Sequence, residues 1–138
     1  MEITEFHPYD LQELELADAE GCMTVMESAN VLARFESWTA RMNGRVVACG
    51  GIIPIWNGRE QVWALISDTI GAQGMVLLTR AVKRRMAMHE RGRIEAHVAV
   101  GFKAGHRWMK ILGFKPETGI LRQFLPDGRN AVQYVRIR

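Results

Sequence analysis

"GMVLLTRAVKRRMAMHERGRIEAHVAVGFKAGHRWMKILGF", residues 74–114, changes its hydrophobic period twice, and the two changes decide the fold. Met75, Leu78, Val82 and Met86 recur at intervals of three and four, while Arg80, Lys83, Arg84 and Arg91 fall largely off that stripe. The spacing predicts an amphipathic helix ending near Gly92. In "RIEAHVAV" the period drops to two: Ile94, Ala96, Val98 and Val100 alternate with Glu95, His97 and Ala99, as in a strand with two unlike faces. A shorter helix is expected from about Lys103 to Ile111, stopped by Gly113 as a C-cap glycine with Pro116 beyond it.

Upstream, "EQVWALIS", Glu60 to Ser67, reads as a strand, so strand, helix and strand form a parallel crossover of the usual right hand. Before it, Trp38, Ala40 and Met42 alternate with Thr39 and Arg41, Asn43-Gly44 supplies a tight turn, and "RVVACGGIIPI" returns as the second strand of an antiparallel meander. Gly50-Gly51 inside that strand predicts a bulge or a close backbone approach, and Pro54 belongs at its end. Asn57-Gly58 turns the chain into the third strand. Downstream, strands from Ile120 to Leu125 and from Ala131 to Ile137 flank the turn residues "PDGRN". Nearer the start, Ile3 to Phe6 reads as a first strand, Asp10 as the cap of a helix over Leu11 to Leu16, and Met23 to Leu32 as another helix.

Composition bounds the answer. A chain of 138 residues, 48% hydrophobic and 24% charged, closes one substantial core, so residues 1–138 are read as one domain. The acidic N-terminus lacks the features of a secretory signal, and no window reaches the roughly 20 apolar residues of a membrane helix; a cytoplasmic protein without a membrane partner is expected. Cys22 and Cys49 show neither C-x-x-C spacing nor clustered histidines, which argues for buried thiols and no metal site. A net charge of +3 favours anionic ligands in general. The basic run "RAVKRRMAMHERGR" spreads around more than one helix edge without an aromatic platform, which reads as a solvated face rather than a nucleic-acid site.

The order of these elements, from first strand through meander, crossover helix, strand and short helix to closing hairpin, resembles the GNAT-type N-acetyltransferase superfamily over nearly the whole chain. The words "GMVLLTRAVKRRMAMHERGRIEAHVAV" and "GFKAGHRWMKILGF" stand in that superfamily's order and spacing. The resemblance implies an α/β (α+β) fold: a mixed central sheet with an antiparallel meander, a parallel βαβ crossover and a C-terminal hairpin. "SD" after the third meander strand and the N-terminal layout also look like phage-encoded members similar to the internal virion protein A family of short-tailed phages. That narrower likeness implies a second reading, a non-catalytic phage or prophage protein that uses the fold in virion assembly or against a host protein.

The superfamily implies acetyl-CoA as cosubstrate, a primary amine as acceptor, and, in some members, a homodimer. Its Q/R-x-x-G-x-G/A loop falls on Thr69, Ala72 and Gly74, of which only Gly74 fits, although backbone N–H groups and a helix dipole hold a pyrophosphate whatever the side chains. The implied cofactor segment comprises Ile66, Ser67, Thr69, Gly71, Ala72, Gln73, Gly74 and Met75, with Arg107 and Met109 from the second helix; Arg80 and Lys83 add charge. Met109 stands where the superfamily often carries the tyrosine that protonates the departing thiolate, and Phe102 replaces a frequent asparagine. His106 is a candidate substitute acid or a structural histidine. Glu60, Asp68 and His97 are candidate bases, each with a structural alternative: a solvated strand end, a turn or cap residue, and a hydrogen-bonded sheet residue. Trp56, Trp63 and Trp108 read as pocket lining or as core.

Overall fold

The computed structural model describes residues 1–14, 29–89 and 92–138. Along the chain run β1 (Glu2–Glu5), a 3₁₀ turn (Pro8–Glu13), β2 (Glu36–Met42), β3 (Arg45–Trp56), β4 (Arg59–Ile66), α1 (Gly71–Ala87), β5 (Arg93–Ala99), α2 (Lys103–Ile111), β6 (Lys115–Leu121) and β7 (Ala131–Ile137). The strands form a seven-stranded mixed sheet in the order β1-β2-β3-β4-β5-β7-β6, so the fold is the α/β mixed sheet that the sequence implies. Among the described strands only β4 and β5 run parallel; the other neighbours are antiparallel. The first hairpin turns as expected, because Asn43 and Gly44 both take positive φ, 52° and 78°, as a tight turn matched to strand twist requires.

Register assigns the two faces. Ala48 sits opposite Ile66, Ile52 opposite Val62, and Glu60 opposite Ile94, so even-numbered residues of β4, of β5 and of β3 from Ala48 onward share one face, while the register shift just before Ala48 turns Val46 to the other. Both helices cover that face. Met86 of α1 and Met109 and Leu112 at α2 pack with Ile94, Ala96, Val98 and Tyr134, while Ile70 and Leu78 pack on Ala40, Val47 and Ala48. The apolar stripe read from period 3.6 therefore lies on the sheet, while Arg80, Lys83 and Arg84 are exposed and Arg85 pairs with Glu36.

On the opposite face, Phe6, Leu11, Leu14, Ala29 and Leu32 cover Val46 and Cys49, with Ile53, Trp63 and Leu65 at the margin. A buried carboxylate fastens this cover. Asp10 accepts from the His7 backbone N–H (2.9 Å), from the Thr39 hydroxyl (2.7 Å) and from the Arg41 guanidinium (2.9 Å). Asp10 is thus the third residue of a capping box whose N-cap is His7, which corrects its reading as the cap itself; Pro8 enforces the earlier start. Residues 15–16 of the helix expected there, and 23–28 of the next, lie outside the described residues; residues 29–32 are helical.

Expected boundaries move at α1 and β6, and at Gly50-Gly51 one of two alternatives is chosen. α1 ends at Ala87 rather than near Gly92. Gly50-Gly51 marks a close approach rather than a bulge: a Cβ on Gly51 would lie 2.5 Å from the Glu36 carbonyl oxygen, and the register shifts of β3 fall elsewhere. β6 begins at Lys115 and ends at Leu121 instead of running from Ile120 to Leu125. As the edge strand it accommodates Pro116 and a register shift before Ile120 that together read as loop in one dimension.

Candidate functional site

β4 and β5 are in register only at Arg59–Arg93, Glu60–Ile94 and Gln61–Glu95, although they continue to Ile66 and Ala99. Beyond Gln61 the two strands part, leaving a wedge that opens toward their carboxyl ends, the end of a parallel pair where α/β sheets hold ligands. The backbone groups of β4 that would have met β5 are left without that ladder partner, and N–H groups so exposed can polarise a carbonyl oxygen.

The chain leaves β4 through Ser67, whose N–H donates to the Val47 carbonyl (2.8 Å). The Thr69 N–H donates to Ser67 Oγ (3.1 Å), and the two hydroxyls lie 2.8 Å apart, so both side chains are engaged inside the loop. α1 then begins without a side-chain cap: Ile70 makes no capping bond and Gly71 takes φ 71° with open space where a side chain would stand. The first-turn N–H groups have no acceptor within the helix, which with the dipole makes a seat for an anion at the mouth of the wedge. Gly74 is small for a different reason than the motif implies: a Cβ there would meet Ile70 Cγ1 at 2.5 Å and Met42 Sδ at 2.9 Å, so packing demands it. Ile66 and Met75 are half-buried against Leu78 and Ala48, whereas Ala72 and Gln73 are exposed in the first turn.

α2 follows the end of β5. Met109 is buried among Met86, Ile94, Val98, Phe114 and Tyr134, so the position of the superfamily's tyrosine belongs here to the core. Arg107 is exposed, and the Trp108 indole N–H donates to Thr79 Oγ1 (2.9 Å), tying α2 to α1. The His106 ring is spent inside the fold. Nε2 faces the carbonyls of Ala99 (2.9 Å) and Val100 (3.0 Å) and must therefore carry the proton, which leaves Nδ1 to accept from the Tyr134 hydroxyl (2.7 Å). Burial pushes the Tyr134 phenol above its ordinary range. His106 is structural in this arrangement, and Tyr134 is a partner that the alternating apolar pattern of β7 did not announce.

The three candidate bases separate. Glu60 sits at the closed end of the wedge on the helix-covered face, 3.7 Å from His89 Nδ1. Asp68 is exposed beside the start of α1. His97 lies on the opposite face of β5, two residues beyond the last β4–β5 pair, with Gln61 Nε2 2.9 Å from Nδ1 and Gln133 Oε1 2.9 Å from Nε2. Phe124 leans on its ring at 4.6 Å. Below it, Arg59 and Arg93 both engage Glu95, and Arg93 also pairs with Glu117, which accepts from the Gln133 amide (2.9 Å). Burial would raise the Glu95 carboxyl, but the hydrogen bonds and charges of the two arginines prevail and hold it below the usual carboxylate range. Gln61 and Gln133 were missed because a glutamine at an alternating strand position reads only as solvent-facing. The tryptophans are not brought together: Trp56 is exposed and stacked by Arg59, Trp63 meets Phe6 edge-on, and Trp108 lies between the helices.

Cys49 is a buried thiol, as expected, and burial pushes its pKa up to about 12; Cys22 lies outside the described residues. No helix among the described residues is long and apolar enough to cross a membrane.

No protein-family model and no curated protein matches the sequence. Solved structures do match in shape. Ard1 from Thermoplasma volcanium superposes with a TM-score of 0.78 at 19% identity, over 99% of this chain and 96% of that one. A GNAT-family acetyltransferase from Bacillus anthracis gives 0.70 at 13%, over 98% and 93%. Ribosomal-protein-alanine N-acetyltransferase from Brucella melitensis gives 0.66 at 17%, over 100% of both chains. The fold is that of the GNAT acetyltransferases.

Proposed function

We propose that residues 1–138 form a single acyltransferase domain, acting in the cytoplasm, that moves an acetyl group from acetyl-CoA to a primary amine. One observation carries the reading: the β4–β5 wedge opens beside an uncapped helix N-terminus, so an extended thiol arm and a pyrophosphate have adjoining places. The residues fit such a ligand. The first turn of α1 after Gly71 would hold the pyrophosphate, and the unpaired β4 edge would hold the pantetheine arm and polarise the thioester carbonyl. The bound cosubstrate supplies an activated acetyl group. The chain's own work is to align the amine with it and to exclude water, and positioning of this kind is worth roughly 7–11 kcal/mol, against about 100- to 10,000-fold for acid–base assistance. Met109 removes a proton donor, but a thiolate with a pKa of about 8.5 leaves without one far more readily than an amine would.

A second, non-catalytic reading is favoured by Met109 lying in the core and by Thr69 being bonded within its loop. A phage or prophage role, with a virion or host protein as partner, rests on sequence resemblance alone. Titration calorimetry with acetyl-CoA, desulfo-CoA and ADP separates the two. Saturable micromolar binding supports the transferase and leads to a panel of amino acids, polyamines and free peptide N-termini, read by thiol release. Folded protein that binds none of the three ligands refutes it.

A further inference from the structure

Resting on the transferase reading, the geometry points to His97 as the group that takes the proton from the acceptor ammonium, with Gln61 and Gln133 as the positioning residues that set its tautomer. The argument starts from the two faces of the fork. α1 and α2 close one face, while the other, over β5, β7 and β6, carries no helix among the described residues and is where an amine can approach. Among the described strand residues, the charged and titratable side chains on that face are Arg59, Arg93, Glu95, Lys115, Glu117 and His97, and the loop that carries Phe124 adds Arg122 and the Asp127–Arg129 pair. Glu95 is 2% exposed and locked between two arginines, and Glu117 is held by Arg93, so neither carboxylate is a ready proton acceptor. His97 remains, half-buried at the point where β4 has left β5.

Its hydrogen bonds fix which nitrogen is basic. Glu117 accepts from the Gln133 amide nitrogen, which turns Gln133 Oε1 toward His97 Nε2; that nitrogen must donate and so carries the proton. Nδ1 is then the lone-pair nitrogen, and it points across the mouth of the parted strands at the Gln61 amide. Gln61 belongs to the last paired rung, so its side chain spans the fork where the wedge begins and keeps the lone pair aimed there until an ammonium displaces it. The Arg59–Glu95–Arg93–Glu117 array, buried at Glu95 and reaching the surface at Glu117, anchors the chain of amides from below, and Phe124 packs on the ring from the side. In the step, one N–H bond of the ammonium breaks and its proton passes to Nδ1, giving an imidazolium that Gln133 Oε1 stabilises. The freed amine lone pair forms the C–N bond while the C–S bond breaks, the second amine proton neutralises the thiolate, and the imidazolium returns its proton to water.

The test uses full-length protein, acetyl-CoA and whichever amine of the panel above releases thiol. His97→Gln, which can still bridge the two glutamines, is expected to lose about 100-fold or more in kcat. It should also lose the acid limb of the pH profile, keep its acetyl-CoA affinity, and recover in part with added imidazole. Gln133→Leu removes the acceptor that steadies the imidazolium and should shift the acid limb to lower pH. Ring 15N shifts of neutral wild-type protein should show His97 protonated at Nε2. A His97→Gln enzyme with wild-type rate and pH profile, or a ring protonated at Nδ1, overturns the assignment and leaves the transferase standing. A wild-type protein that binds acetyl-CoA yet turns over no amine overturns both.

Discussion

Placing a tyrosine at position 109 tests whether that site is core or catalytic. Met109 is 7% exposed and touches side chains from α1, β5 and β7, so a phenol has no room without displacing neighbours. Overpacking costs about 1–3 kcal/mol, and a buried hydroxyl without a partner adds about 1–3 kcal/mol, giving about 2–6 kcal/mol for Met109→Tyr. Met109→Leu conserves volume and should stay under about 1.5 kcal/mol. The total stability of a 138-residue chain is on the order of 7–20 kcal/mol, so the tyrosine variant should show a urea midpoint well below that of the leucine variant at similar slope. A melting temperature lower by about 8 °C or more is expected with it. Acetyl-CoA affinity, measured on the folded fraction, should not improve. If Met109→Tyr is as stable as wild type and releases thiol faster, the phenol has reached a space adjoining the thioester, and the packing argument is wrong.

Two further outcomes follow from buried polar groups. Asp10→Ala leaves the Thr39 hydroxyl, itself 0% exposed, and the Arg41 guanidinium without their acceptor; it should cost about 3–5 kcal/mol in denaturant unfolding, with Asp10→Asn losing less because one acceptor oxygen remains. The Cys49 thiol, raised from 9.0 to about 12 in the folded chain, contributes stability that is fully present below about pH 9. As pH rises toward 12 the unfolded thiol ionises while the folded one does not, so the contribution is lost, up to about 4 kcal/mol. Stability against pH should therefore fall more steeply for wild type than for Cys49→Ala over that window, and equal slopes would refute the burial argument.

Local signals were read well where one residue type dictates one backbone state. Lys103–Ile111 was bounded correctly because a glycine stands just past its end, with φ 89° at Gly113, and the Asn43-Gly44 hairpin was placed by a turn that needs two positive φ values. The beginning of β6 was missed because Pro116 and Gly119 read as breakers, and only its position at the sheet edge lets a strand carry them. Asp10 was assigned the wrong step of its capping box because His7, an unusual cap, became one through its own ring nitrogen. Within the candidate site, the glycine-bearing loop after β4 and the helix behind it were legible in order and spacing, while the absence of a side-chain cap at Ile70 and the rung at which β4 leaves β5 were not.

The sequence by itself determined the periods, and hence the elements, their order and the face of each that is apolar, because side-chain direction repeats every 2 or 3.6 residues whatever surrounds it. Only the tertiary structure decided which polar positions meet. His97 acquires its two amide partners through β4–β5 divergence and β5–β7 register, and Met109 becomes core because α2 lies over β5 and β7; both depend on pairings between residues far apart in the chain, where no local period reaches.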